Sequence, residues 1–217
     1  MKPTPPPLPT TDVEAEPAAP KTKRSPWKIV LIVVGLLVGL VALLVLLGGA
    51  FLWLAKDLPV EARDREVLLS ATEIGEWIEG FEVDAAQETW SKVKHVDGSF
   101  ELSYTYMGEE LSVDCFVGVD RSATDAKMNY TIEVKGEILA LELQEIDVKA
   151  RAASFSWGDE SKAATLLHED EPLGNFFACR RGTRTFRVWW SGCHFEDSAK
   201  LRELLEPVLA RWARYRP

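Results

Sequence analysis

Between Ile29 and Ala55 the chain carries no charged side chain in 27 positions, and only Gly35, Gly39, Gly48 and Gly49 interrupt the apolar run. A helix needs about 20 such residues to cross the hydrocarbon core of a bilayer. Trp27 and Trp53 bracket the run, where interfacial aromatics belong. The segment predicts a single transmembrane helix and divides the chain around it. A cleaved signal peptide has an apolar region of about 7–15 residues behind a short basic start. Gly48 and Ala50 offer small residues for cleavage, but the run is too long and its 28-residue leader is unusual. An uncleaved anchor is the better expectation. Gly35-x-x-x-Gly39 offers a close-packing face for a homodimer within the membrane.

Residues 1–28 hold eight of the twelve prolines and no apolar periodicity. They predict a disordered, proline-rich tail, whose Pro5–Pro9 run has the form read by proline-binding domains. Residues 56–67 read as a linker, and 68–217 as one α+β domain. Lys21, Lys23, Arg24 and Lys28 flank the span on its amino side, against Lys56, Arg63 and Arg65 beyond it. This bias predicts a cytoplasmic amino terminus and a domain outside the cytoplasm. The odd count of three cysteines pulls toward a reducing compartment.

Charge separates along the chain. The formal net charge is −9. Residues 1–28 carry +2, residues 56–171 carry −16 and residues 172–217 carry +5. A domain of this sign does not neutralise phosphates, which excludes a general nucleic-acid binder.

Within the domain, Ser70 and Glu73 form a capping box ahead of Ile74, Trp77 and Ile78, and Gly80 ends the predicted helix. Strands are expected at 89–96 and 100–106 around the Asp97-Gly98 turn, and at 111–119, where Val113, Cys115 and Val117 alternate with polar residues. Residues 123–143 fit either period, and a helix is expected because a sheet needs a covered face. Further strands are expected at 146–155 and 161–167. Asn175–Arg181 and Arg184–Ser191 read as a hairpin around Gly182-Thr183. A closing helix starts at Ser198, with Leu201, Leu204, Leu205, Val208, Leu209 and Trp212 in one stripe and a kink or restart at Pro207.

The expected architecture is α+β: a single transmembrane helix followed by an antiparallel sheet of about six to seven strands packed with helices, like an α/β/α sandwich. The strand pair Phe100–Val119, the run Trp157–Ser161 and the closing Arg184–Trp212 strand and helix resemble PsbP/Mog1-like domains of membrane-anchored bacterial proteins. The likeness spans residues 68–215 and is one of topology. Such domains share no catalytic residues, so it implies no site.

The hairpin register puts Phe177, Cys179, Phe186, Val188 and Trp190 on one face, as core. Phe176, Arg180, Arg187 and Trp189 share the other and form the candidate interaction patch, since aromatic and arginine side chains dominate binding hot spots. The alternative is that a helix covers the aromatics while the arginines reach outward. Cys179 and Cys193 are too far apart in that register to bridge. Any disulfide therefore involves Cys115, with Cys179 on the same face. His95, His168 and His194 are scattered, and no catalytic or zinc motif is present. Neighbouring Cys193 and His194 would point to opposite faces. The acidic runs 159–160 and 169–171 lack the spacing of a calcium loop and read as solvated turns. No catalytic, cofactor or metal residue is assigned. The expectation is a membrane-anchored, non-catalytic domain binding a protein or envelope component. A hydrolase or thiol enzyme using Cys193 or His194, and a scaffold read through the proline-rich tail, stay open as alternatives.

Overall fold

Alternating side chains give the domain its strands, and the register of those strands decides what its two faces become. The computed structural model describes residues 55–151 and 155–217. The elements are β1 Lys56–Asp57, α1 Ala62–Arg65, α2 Ala71–Gly75, β2 Glu88–Lys94, β3 Phe100–Met107, β4 Ser112–Val119, α3 Ala123–Glu142, β5 Asp147–Ala150, β6 Glu160–His168, β7 Glu171–Arg181, β8 Arg184–Ser191 and α4 Ser198–Arg214. All strands join one antiparallel sheet in the order β1-β2-β3-β4-β8-β7-β6-β5. Two four-strand meanders thus meet at the β4–β8 seam. The chain leaves β4, crosses the second meander as α3, and returns strand by strand from the far edge.

The expected architecture is corrected in three respects. The sheet has eight strands, not six to seven. The additional strand, β1, is two residues long, too short to show alternation, and it lies in the segment read as a linker. That segment also forms α1, so residues 56–67 belong to the folded domain. Among the described residues, no helix is long and apolar enough to cross a membrane. The expected span, with Gly35 and Gly39, lies outside the described residues apart from Ala55, as does the proline-rich tail.

One sheet face carries the larger core. Leu102, Tyr104, Val113, Cys115, Val117, Phe177, Cys179, Phe186, Val188 and Trp190 meet the apolar stripe of α4 and the chain from Val67 to Ile74. Ser70 caps α2 and Glu73 bonds back to it, as the capping box requires. The helix ends at Gly75, short of Gly80, and the Phe81 ring folds against Gly75, where a Cβ would lie 2.3 Å from the ring. Pro207 sits inside a single helix. Glu203, whose carbonyl the proline leaves unbonded, is on the exposed side of the helix, open to solvent.

The smaller core lies on the opposite face. Tyr130, Val134 and Leu141 of α3 pack on Ala164, Leu166, Phe176, Ala178 and Trp189. Ser122 caps this helix by accepting from the Asp125 N–H.

The ends of the domain are tied at a buried carboxylate. Asp64 accepts from Lys92 Nζ at 2.7 Å, from the Glu61 N–H at 2.7 Å and from the Tyr215 hydroxyl. The side chains of Asp64, Lys92 and Tyr215 are all buried. Burial pushes the Asp64 carboxyl up, and the bonds from Lys92, Tyr215 and Glu61 outweigh it, so the group settles below the usual carboxylate range.

Candidate functional site

The structure buries the expected interaction patch. Phe176 pairs across β7–β8 with Trp189, and both lie under α3 in the smaller core. Arg180 is buried and held by Asp159 at 3.1 Å and Glu160 at 2.8 Å. Arg187 meets Glu137 of α3 at 3.2 Å, and Trp189 Nε1 donates to the same carboxylate at 2.8 Å. Helix α3 covers Phe176 and Trp189, and separate ion pairs hold Arg180 and the half-buried Arg187, so the four side chains do not form one surface.

The thiols are all free. Cys115 and Cys179 share the larger core, but β8 lies between their strands. Two strand spacings separate their backbones by about 10 Å, whereas a disulfide needs Cα atoms within about 7 Å. Burial pushes both thiols well up. It raises Cys193 to about 11, against a lowering contact from Trp190. His194 is held below its usual range by burial and by Arg151. Its Nε2 lies 3.4 Å from the Thr165 hydroxyl. A protonated thiol beside an imidazole turned toward threonine is not an activated nucleophile.

The more informative surface is the half of the sheet that α3 leaves bare. Sheet register continues the α3-side face across the seam, from Ala178 to Arg187 to Phe116 to Ser103 to Ser91. One pleat away, Glu101 and Asp114 share that face, because their neighbours Leu102 and Cys115 point into the larger core. These side chains are half-buried, and no helix among the described residues lies over them. The Arg187 guanidinium stacks 5.0 Å from the Phe116 ring centroid. Asp114 accepts from the Thr105 hydroxyl at 2.9 Å. The floor is therefore polar and aromatic, and α3 forms its wall.

Carboxylates crowd this wall. Glu133 and Glu137 are spaced i, i+4 on α3 and so share one helix face. Burial pushes Glu133 up to about 7; Arg187 opposes the rise, while Glu101, Asp120 and Glu137 add to it. Burial also raises Glu137 and Asp120, and for Asp120 the neighbours Asp125, Glu101 and Asp97 add to the rise. At the amino end of α3 the surface opens into a cleft of about 320 Å³ bordered by His95, Glu101, Asp120 and Asn129. His95 Nε2 lies 3.0 Å from Glu101, and Asn129 donates to Asp120 at 2.6 Å. No family model, curated protein or solved structure matches the chain. Among the described residues, no three histidine, cysteine or acidic side chains converge to hold a metal ion. What the groove presents is an excess of destabilised negative charge over one stacked arginine.

The sequence carried a signal for this groove. The polar partners in the alternating strands, Glu101, Ser103 and Asp114, had to face either solvent or a ligand. The Glu133–Glu137 pair stood on the covering helix at the spacing that brings two carboxylates together.

Proposed function

We propose that the chain is a membrane-anchored, non-catalytic binding protein whose domain outside the cytoplasm holds a cationic protein segment in the groove beside α3. The uncharged run 29–55 supports the anchor, and the lysines on its amino side support the orientation. The observation that carries the binding role is the crowding of Glu101, Asp120 and Glu133 where α3 borders the open half of the sheet. Carboxyls held up by burial and by one another gain from an incoming cation, which relieves both penalties at once. Phe116 and the hydroxyls of the floor offer the apolar and hydrogen-bonding surface that gives such a site selectivity.

The test uses the full chain in lipid discs and a short arginine- and lysine-rich peptide. Binding is expected to weaken as salt rises and to fall in Glu101→Gln and Asp120→Asn. It is also expected to release protons near neutral pH, because Glu133 ionises as the cation arrives. Calorimetry in buffers of different ionisation enthalpy reads that release. Equal binding of a neutral peptide of the same length, or binding indifferent to salt, would overturn the reading.

A further inference from the structure

Strand β5, Asp147–Ala150, ends the sheet order, and no other described strand lies beyond it. Its register with β6 sets Asp147 opposite Leu167 and Lys149 opposite Thr165. The Arg151 N–H continues the pattern by donating to the Ala163 carbonyl. Backbone groups alternate between the two sides of an antiparallel strand. The odd-numbered residues therefore bond inward to β6, and the N–H and C=O groups of Val148 and Ala150 point off the edge. Such an edge is a template for a further strand. The opposite edge offers less, because β1 is two residues long.

The side chains of β5 complement one another. Asp147 and Lys149 are both exposed, and no ion pair joins either to another described residue. They share the larger-core side of the sheet, since Lys149 lies opposite Thr165, in line with Asn175 and Trp190. We infer that β5 pairs antiparallel with β5 of a second copy of this chain, about a two-fold axis at Val148. Val148 then exchanges both backbone bonds with Val148 of the second copy. Asp147 stands opposite Lys149 of the second copy, and Lys149 opposite its Asp147. The ion pair occurs twice, as an isologous interface requires. The Ala150 N–H donates to the Ile146 carbonyl of the second copy, because the Ile146 N–H is already bonded to Leu141.

Few registers compete, because only residues whose groups point off the edge can form the bonded pair. An axis at Lys149 sets that lysine against itself. It also sets Asp147 opposite Arg151, but the Arg151 guanidinium is already held by the carbonyls of Phe195 and Glu196. An axis at Ala150 sets Lys149 opposite Arg151. Opposite charges facing across a strand pair stabilise it and like charges destabilise it, so charge selects the axis at Val148. A lysine on an edge strand ordinarily discourages pairing; here each lysine finds an aspartate.

The other side of the strand is apolar. Ile146 and Val148 are half-buried and pack on the smaller core under α3. The Val148 axis sets Val148 against its own copy and Ile146 beside the small, exposed Ala150, which continues this face across the seam. The assembly closes at two copies, since each chain has one β5 edge. A strand of four residues buries far less than the roughly 800 Å² per partner of a standard interface. The pairing is therefore weak in dilute solution and is raised by confinement to a bilayer, which increases effective concentration. That last step rests on the membrane reading; the register does not. Lys149 stays open to proteases in the unpaired fraction.

The experiment uses the full chain in membranes, with Cys193→Ser as background, and thermal unfolding checks that each variant is folded. Residues of a bonded antiparallel pair have Cα atoms about 5.5 Å apart, within reach of a disulfide. Under mild oxidation Val148→Cys is expected to give several-fold more dimer than Ala150→Cys. Two exposed positions repeat the test without touching a packed side chain. Asp147→Cys mixed with Lys149→Cys, on differently tagged copies, is expected to give several-fold more dimer than either alone. Lys149→Asp added to Val148→Cys is expected to lower the yield, and Asp147→Lys beside it to restore the yield. Self-linking of Ala150→Cys or Lys149→Cys at the level of those pairs would overturn the axis at Val148. A charge swap without recovery would overturn the ionic selection. Yields no higher than those of Glu109→Cys, in the exposed turn between β3 and β4, would overturn pairing altogether. None of these results alters peptide binding at Glu101, so the groove and the pairing fail separately.

Discussion

Glu133 shows how a single carboxyl comes to report on its surroundings. It lies half-buried near Arg187, yet Glu101, Asp120 and Glu137 outnumber that one cation, and the group is pushed up to about 7. The consequence for stability has a definite sign. In the unfolded chain a glutamate titrates near 4.3. Between that value and about 7 the folded state holds a proton that the unfolded state has lost, so folding stability falls as pH rises through this window. Urea midpoints measured from pH 5 to pH 8 are expected to fall with pH in the parent. In Glu133→Gln, which has nothing to titrate at that position, the fall is expected to be smaller. Equal slopes in the two proteins would remove Glu133 as the source. Asp64 behaves in the opposite sense. Its carboxyl is held low, so its contribution is present above the unfolded value and is lost on acidification. The two groups act in different windows, and the comparison with Glu133→Gln separates Glu133 from His194, whose lowered pKa also bears on stability between pH 5 and pH 8.

The elements differ in how plainly the sequence announced them. The β7–β8 hairpin was legible to the residue pair, because Gly182 takes φ +61 at the turn and the flanking alternation admits one register, Cys179 opposite Phe186. The capping box at Ser70 was equally plain, since its two bonds are local. Helix α2 stopped five residues early, where a ring from Phe81, outside the helix, packs on Gly75, and no local pattern encodes that contact. Strand β1 was invisible for the same reason: two residues have no period, and only pairing with β2 makes them a strand. The candidate patch failed on coverage. The sequence assigned Phe176 and Trp189 to one face, but only the path of α3 decides that the face is covered while the neighbouring half of the sheet stays open. The linker reading failed at Asp64, whose partners Lys92 and Tyr215 are 28 and 151 positions away. This bond set ties α1 to β2 and to the carboxy terminus, so its loss should be felt across elements. Lys92→Met leaves a buried carboxylate without its cation, and about 3–5 kcal/mol of destabilisation is expected. Asp64→Leu combined with Lys92→Met removes both charges and should cost less than Lys92→Met alone. Denaturant unfolding of Lys92→Met, Asp64→Leu and the double variant measures the coupling, and additive losses would show that the pair acts as two separate groups.

At the scale of the whole chain, charge and hydropathy are sorted by segment. Residues 1–28 carry +2, the run 29–55 carries none, and residues 56–217 carry −11. The order places basic residues on the amino side of an apolar run, with an acidic domain beyond it. Basic residues near the ends of a span are retained on the cytoplasmic side, whereas acidic residues have little influence on orientation. If the run is the proposed membrane anchor, its orientation rests on four cations, Lys21, Lys23, Arg24 and Lys28, against Lys56, Arg63 and Arg65. An exposed bond after Lys149 on the edge strand β5 gives a protease a place to cut. Trypsin added to intact spheroplasts is expected to cleave the domain while leaving an amino-terminal epitope at residues 1–28 protected. Cleavage of the domain only after the membrane is broken, with the epitope lost from intact cells, would reverse the orientation. The groove beside α3 would then face the cytoplasm, and its cationic partner would have to be sought there.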